Sequence, residues 1–231
     1  ATGNAGVVFA TSGPGATNLV TGLANAFLDS TPVFAITGQV ASPFIGRDSF
    51  QEADMQGITI PITKYNRLVR KVESLPSALE LAWRVAQEDR PGPVLLDITK
   101  DVFAAEVPEK LWRWYRPAKK PSCDISGSAR RAAEMINQSK RPLILAGGGV
   151  TACKESGGLL HKLMREYQLP VVTTIMGKGA IPEDQPDFLG TVGMHGLPGA
   201  NIALSDCDLL VAVGTRFSDR VIGDPDAYGT R

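Results

Sequence analysis

Short apolar runs alternate with segments of helical period along this chain, and glycine- or proline-rich turns separate them. Gly6-Val-Val-Phe-Ala10 reads as a strand by its length and β-branched content. Leu19, Leu23, Ala26 and Phe27 then share one face of a helix expected over 17–28 and starting near Ala16. Residues 33–37 read as the next strand, with Pro32 tolerated just before it. Two strands joined by a helix imply a parallel pair with a right-handed crossover. Residues 39–61 show neither period. A loop of this length in a compact domain is functional or disordered, and Phe44, Ile45, Phe50 and Met55 favour an ordered, functional one. A short segment at 64–72 carries Leu68 and Val69. Ser74 as cap and Pro76 in the first turn predict a helix with Leu79, Ala82, Trp83 and Ala86 on its apolar face. Arg90-Pro-Gly-Pro93 ends it, and Val94-Leu-Leu-Asp-Ile98 predicts a strand buried on both faces.

The pattern pauses at 104–123, where Pro108, Pro117 and Pro121 mix with Trp112, Trp114, Arg116, Lys119 and Lys120, a composition expected of a linker that packs its aromatics on a neighbour. It then resumes. Ser126 is expected to cap a helix running to about Ser139, with Ala129, Ala132, Ala133 and Ile136 inward. A strand at 142–146 ends in Gly147-Gly-Gly149, and a helix at 154–167 carries Leu159, Leu160, Leu163 and Met164. A strand at 170–174 leaves through 176–179, a short helix covers 201–205, and a strand at 209–213 exits at Gly214-Thr-Arg216. The fold class that follows is α/β, with two parallel-sheet Rossmann-like domains. The expected boundaries are 1–104, a linker over 105–122, and 123–231. The second domain shows only three strands by this reading, so it is expected to be truncated.

Composition narrows the function. The chain has 231 residues, with 24 Lys and Arg against 24 Asp and Glu, so its net charge of zero gives no support for a nucleic-acid or membrane partner. No apolar stretch is long enough to span a bilayer as a helix. Cys123, Cys153 and Cys207 stand far apart and His161 and His195 are the only histidines, which points to reduced thiols and away from a transition-metal site. The chain begins at Ala1 without Met. The expected location is the cytoplasm, or an organelle if a transit peptide precedes this sequence.

Candidate chemistry gathers at the strand exits. Thr11-Ser-Gly-Pro-Gly-Ala-Thr-Asn18 places two glycines and unpaired backbone N–H groups at a helix start, which suits either an ordinary βα turn or a ligand site. The turn lacks the third glycine or alanine of the dinucleotide fingerprint, and no acidic residue follows the next strand. Gly193-Met-His-Gly196 implies close approach by backbone or ligand. Arg90, Arg216 and Arg220 are either anion clamps or solvated charges, and Lys64 and Lys100 share that ambiguity. Asp97, inside an apolar strand, is expected to be hydrogen-bonded structurally.

Taken together, Ala10-Thr-Ser-Gly-Pro-Gly-Ala-Thr-Asn18, Ile36-Thr-Gly-Gln39, Phe50-Gln-Glu52, Ile62-Thr-Lys64, Arg90-Pro-Gly-Pro-Val94, Gly193-Met-His-Gly196 and Arg216-Phe-Ser-Asp-Arg220 resemble the thiamine-diphosphate enzymes. Within that family they resemble the acetohydroxyacid synthase (acetolactate synthase) large subunits. The resemblance runs the length of the chain. It implies the second half of a pyrimidine-binding domain and most of a central domain, in a fragment inactive by itself. The implied reaction joins pyruvate to a second 2-ketoacid, giving 2-acetolactate or 2-aceto-2-hydroxybutyrate, early in branched-chain amino-acid biosynthesis. Glyoxylate carboligase is the same-class alternative, and a non-catalytic flavin- or nucleotide-binding module the alternative of another class. The implied cofactors are thiamine diphosphate, FAD and Mg²⁺, the metal's ligands lying outside this sequence. By resemblance, Pro14, Asn18, Ser30 and Gln51 belong to the thiamine site. Arg90, Gly148, Thr174, Ile175, Val192, Gly193, Met194, His195, Gly214, Thr215, Arg216, Phe217 and Ser218 belong to the FAD site. Phe50, Met194 and Arg220 face substrate, and Gln51, Lys64 and Arg220 carry catalytic roles. The resemblance also implies a homodimer or larger assembly with the active site between subunits, and a regulatory small subunit as a possible partner. Ser218 and Thr215 depart from the residues common in the biosynthetic enzymes, Asp and Val.

Overall fold

The computed structural model describes residues 4–112, 124–153 and 155–223. The chain divides into two compact units, Ala1–Lys120 and Pro121–Arg231.

In the first unit, β1 (Gly6–Ala10) leads through α1 (Pro14–Thr17) and α2 (Val20–Asp29) to β2 (Val33–Gln39). α3 (Met55–Thr59) precedes β3 (Tyr65–Val69), α4 (Leu75–Gln87) precedes β4 (Val94–Thr99), and α5 (Lys100–Ala104) follows it. The four strands form an all-parallel sheet in the order β1-β2-β4-β3. Right-handed crossovers then require α1–α3 on one face and α4 on the other, because the chain reverses direction along the sheet only between β3 and β4. The cores agree. Ala16, Leu23 and Met55 pack with Ala35 and Leu95 on one face. On the other, Ala78, Ala82 and Ala86, spaced one turn apart, pack on Phe34, Ile36, Val69, Val94, Leu96 and Ile98. Every residue of β4 is buried, as its nearly all-apolar run predicts.

Three local expectations change in this unit. The opening helix is two pieces, interrupted at Asn18–Leu19 and closed by Ser30 in a left-handed conformation at φ 59°. The stretch at 39–61 is ordered by a longer β2, a 3₁₀ turn at Ser42–Phe44, α3, and a second 3₁₀ turn at Ile60–Ile62. Ser74 is not a side-chain cap for α4; its hydroxyl turns back to the Lys71 carbonyl at 2.8 Å.

In the second unit, α6 (Ser126–Gln138) leads to β5 (Pro142–Ala146). α7 (Gly148–Ala152) and α8 (Ser156–Tyr167) follow, then β6 (Val171–Thr173) and β7 (Phe188–Thr191). α9 (Pro198–Asp206), β8 (Leu209–Val213) and α10 (Asp219–Ile222) complete it. The sheet is all-parallel, in the order β7-β6-β5-β8. α8 covers one face through Leu160 and Met164, and α9 the other through Ala200 and Leu204. Strand order reverses between β5 and β8, the position at which open parallel sheets bind ligands beyond the strands' carboxyl ends.

This sheet has four strands, not the three expected. β7 is short, and Gly190 at φ 104° with a register shift at its partner β6 erases the alternation that identifies a strand. α6 also departs from expectation. Ala129, Ala132 and Ala133 are exposed, and only Ile136 packs on the core. Ser126 is the first residue of that helix rather than its cap, and its N–H donates to Asp124 Oδ1 at 2.9 Å. Most of the expected linker, including Trp114, Arg116, Lys119, Lys120 and Cys123, lies outside the described residues.

Candidate functional site

In the first unit the carboxyl ends of β1 and β2 present the opening turn and the 40–54 loop. Pro14, Asn18, Phe50 and Gln51 are all exposed there, Phe50 at 88%. Turn and loop touch. A Cβ on Gly13 would lie 2.8 Å from Gln51 Cβ and 2.9 Å from its Cα, so glycine at φ 59° is what lets the Gln51 backbone approach. Gln51 itself is left-handed at φ 60°. Glu52 closes the loop internally: its carboxylate accepts the Gly46 and Ser49 N–H groups, and these bonds hold it below its ordinary range. At the loop's base, Asp101 accepts the Ser42 N–H at 2.9 Å and falls to about 2 chiefly for that reason.

Beneath the loop, Asp97 sits in the sheet at 1% exposure. It accepts Thr37 Oγ1 at 2.7 Å and Gln39 Nε2 at 2.8 Å. Burial pushes its carboxyl up to about 6, against the lowering effect of both bonds. Hydrogen bonding satisfies this aspartate, as expected of a polar group in an apolar strand.

Ser30, Lys64 and Arg90 stand elsewhere. Each closes or follows an α-helix or precedes a strand, so all three lie at the amino-terminal edge of the same sheet. The opposite edge is about 20 Å away along the six residues of β4. Arg90 Nε donates to Ser30 Oγ at 2.7 Å, and its Nη2 reaches the Phe27 and Leu28 carbonyls. Lys64 Nζ donates to the Val85 carbonyl and, at 2.7 Å, to the Glu88 carbonyl at the end of α4, where a cation opposes the helix dipole. Burial lowers the Lys64 ammonium below its usual range.

The second unit collects its residues at one edge. Gly148 follows β5, Thr174 and Ile175 follow β6, and Val192, Gly193, Met194 and His195 follow β7. Gly214, Thr215, Arg216, Phe217 and Ser218 follow β8. The β5 and β8 exits are packed backbone to backbone, and the Gly149 N–H donates to the Gly214 carbonyl at 2.9 Å. A Cβ on Gly147 would lie 2.4 Å from Gly214 O, and one on Gly149 would lie 2.7 Å from Gly214 Cα. Gly193 abuts the Arg220 carbonyl, which also accepts the Met194 N–H at 2.9 Å. The glycines flanking Met194 and His195 are therefore explained by backbone packing. On the exits of β6, β7 and β8, Ile175, Met194 and Phe217 expose apolar side chains. Asn201 was not anticipated from sequence: its amide brackets Gly193, accepting the N–H at 2.9 Å and donating to the carbonyl at 3.0 Å. An asparagine in the first turn of the helix after a glycine loop is the signal that would have found it.

Two family models match this chain in order. Residues 1–58 match the N-terminal TPP-binding domain of thiamine pyrophosphate enzymes, and residues 129–230 match the central domain of the same enzymes. The chain belongs to the thiamine pyrophosphate enzymes. Within them it is similar to acetolactate synthase large subunits. It is 46% identical to the acetolactate synthase large subunit of Parasynechococcus marenigrum, over 100% of this chain and 38% of that protein. It is 45% identical to the acetolactate synthase isozyme 2 large subunit of Escherichia coli, over 99% and 41%. It is 48% identical to the acetolactate synthase of Mycobacterium bovis, over 98% and 37%. The chain thus spans about two fifths of the length of these relatives.

Proposed function

We propose that the intact protein is an acetolactate synthase: it joins pyruvate to a second 2-ketoacid, giving 2-acetolactate or 2-aceto-2-hydroxybutyrate. The observation that carries this reading is identity of 45–48% to acetolactate synthases across nearly the whole chain. Thiamine diphosphate supplies the carbon nucleophile for such a ligation. The exposed carboxyl-end loops of the first sheet suit it: Pro14, Asn18 and Gln51 would hold the pyrimidine side, with Phe50 beside the substrate. Gln51 would orient the reactants and Phe50 would exclude water.

FAD is proposed for the second unit. The exposed apolar side chains of Ile175, Met194 and Phe217, on strand exits beside the order reversal, suit a flat apolar ring, and Arg216 would face its phosphates. The remaining residues are Gly148, Thr174, Val192, Gly193, His195, Gly214, Thr215 and Ser218. Arg220 would hold the acceptor's carboxylate near Met194, whose sulfur its Nη1 already approaches at 3.4 Å. For Mg²⁺, the described residues offer no group of three acidic, histidine or cysteine side chains placed to hold a metal ion, so its ligands are proposed to lie outside them.

Ser30, Lys64 and Arg90 cannot surround the same ligand as Gln51 within one copy, since the sheet separates them. That separation supports a homodimer with the site between subunits. The relatives' "large subunit" names support a regulatory small subunit as a further partner. No helix among the described residues is long and apolar enough to cross a membrane, and a cytoplasmic or organellar location is proposed. The test is donor choice. The intact protein, supplied with thiamine diphosphate, Mg²⁺ and FAD, is expected to form acetolactate from pyruvate at least tenfold faster than it ligates glyoxylate. The reverse preference would assign it as a glyoxylate carboligase.

A further inference from the structure

The carboxyl end of the first sheet holds a buried polar chain, with Thr99 buried nearby, in a largely apolar interior. Thr37, Gln39 and Asp97 are 0%, 7% and 1% exposed. Polar groups at such depth destabilise a fold unless every donor and acceptor is paired, and aliphatic side chains in the same places would pack without that demand. The pairing leads out of the sheet. Gln39 Nε2 donates both to Asp97 Oδ2 at 2.8 Å and to the Ala53 carbonyl at 2.7 Å, while its Oε1 accepts the Val40 N–H at 2.9 Å. One amide therefore holds the first residue of the 40–54 loop and a residue just before its end. Gln51, two residues before Ala53, abuts Gly13 of the opening turn.

We infer that Asp97 is a positioning residue: acting through the Gln39 amide, it fixes both ends of the 40–54 loop and so sets where Phe50 and Gln51 stand. Asp97 decides which way the Gln39 amide points. A carboxylate oxygen only accepts, so the NH₂ end must face it, and Ala53 and Val40 then receive the matching partners. Were the amide turned over, its oxygen would face both Asp97 and the Ala53 carbonyl, and its NH₂ would face the Val40 N–H. What the site requires of residue 97 is an acceptor at the Oδ2 position, and charge is secondary. Asparagine meets that need by directing its oxygen to Gln39 and its NH₂ to the Thr37 hydroxyl, which can accept as well as donate. Leucine does not.

This inference rests on the reading of the 40–54 loop as cofactor- and substrate-bearing, and its test separates the two. Amide exchange of peptides covering 40–54 is followed by mass spectrometry in the intact protein. Gln39→Met and Asp97→Leu should each speed exchange of that loop at least tenfold, while peptides from β2 and β4 stay within twofold of the parent. Asp97→Asn should leave the loop within twofold. If Gln39→Met alone does not fold, Gln39→Met combined with Asp97→Asn leaves no buried charge and carries the same expectation. Unchanged loop exchange, or acceleration shared equally by loop and sheet, overturns the inference. The half-saturating concentration of thiamine diphosphate is measured on the same samples. A loosened loop that leaves it unchanged upholds the positioning and contradicts the reading of the loop as cofactor-bearing. A rise of fivefold or more in Gln39→Met, with Asp97→Asn near the parent, supports both.

Discussion

A methyl group at position 147 would meet the Gly214 carbonyl oxygen at 2.4 Å and Thr215 Cα at 2.6 Å. Both are backbone atoms, so a shift of the whole β5 or β8 exit is the only relief. Gly147→Ala should accordingly destabilise the second unit by about 2 kcal/mol or more, read from its chemical-denaturation midpoint in the intact protein. Gly199→Ala, where an added methyl would meet no atom within 4 Å, serves as the control and should be near neutral. A small effect at 147 would show that the exits are not in backbone contact. The sequence placed glycines at these exits but could not say what came close, because a ligand and a neighbouring strand exit impose the same demand on Cβ. Asp97 was more legible: a charged residue inside Val94-Leu-Leu-Asp-Ile98 had to be hydrogen-bonded. Its partner Gln39 was hidden, since a polar residue ending a strand looks like the start of a loop.

Among elements, the strands with the most apolar runs, β4 and β5, were read from the sequence nearly to the residue. β7 was missed because Gly190 and the register shift remove its period. α6 shows the converse. Its alanines have helical spacing, yet Ala129, Ala132 and Ala133 face solvent, because periodicity identifies a helix face without saying what covers it. The start of β5 is instead held to the start of β8 by Asp208, which accepts the Ser139 hydroxyl and the Lys140 and Arg141 N–H groups. Those bonds, the Ser139 hydroxyl first, bring its carboxyl down to about 2. A depressed carboxylate stabilises the fold above its unfolded value near 4, and the stabilisation fades as pH falls toward 2. Asp208→Ala should lower the second unit's thermal midpoint at pH 7, and the difference from the parent should shrink as pH falls from 4 to 2. A difference independent of pH would mean that the clasp contributes through shape and not through ionisation.

For the whole molecule, both sheets are parallel, and a parallel sheet offers its loops at two ends with different tasks. The carboxyl ends carry the exposed turn, the 40–54 loop and the glycine-rich exits of the second sheet. At the amino edge of the first sheet, Lys64 is tied to the end of α4 and Arg90 to Ser30 and the end of α2. Motif order along the chain could not show this division, because Ser30 and Gln51 are close in sequence yet belong to opposite ends. We propose that the carboxyl-end loops of the first sheet hold thiamine diphosphate for ligation of pyruvate. The most direct test is acetolactate formation by the intact protein as thiamine diphosphate is titrated, in the parent and in Gln51→Ala. Cofactor-dependent product is expected in the parent, with a loss of at least tenfold in turnover for Gln51→Ala. Product formation that ignores the cofactor, or a Gln51→Ala protein equal to its parent, would contradict it.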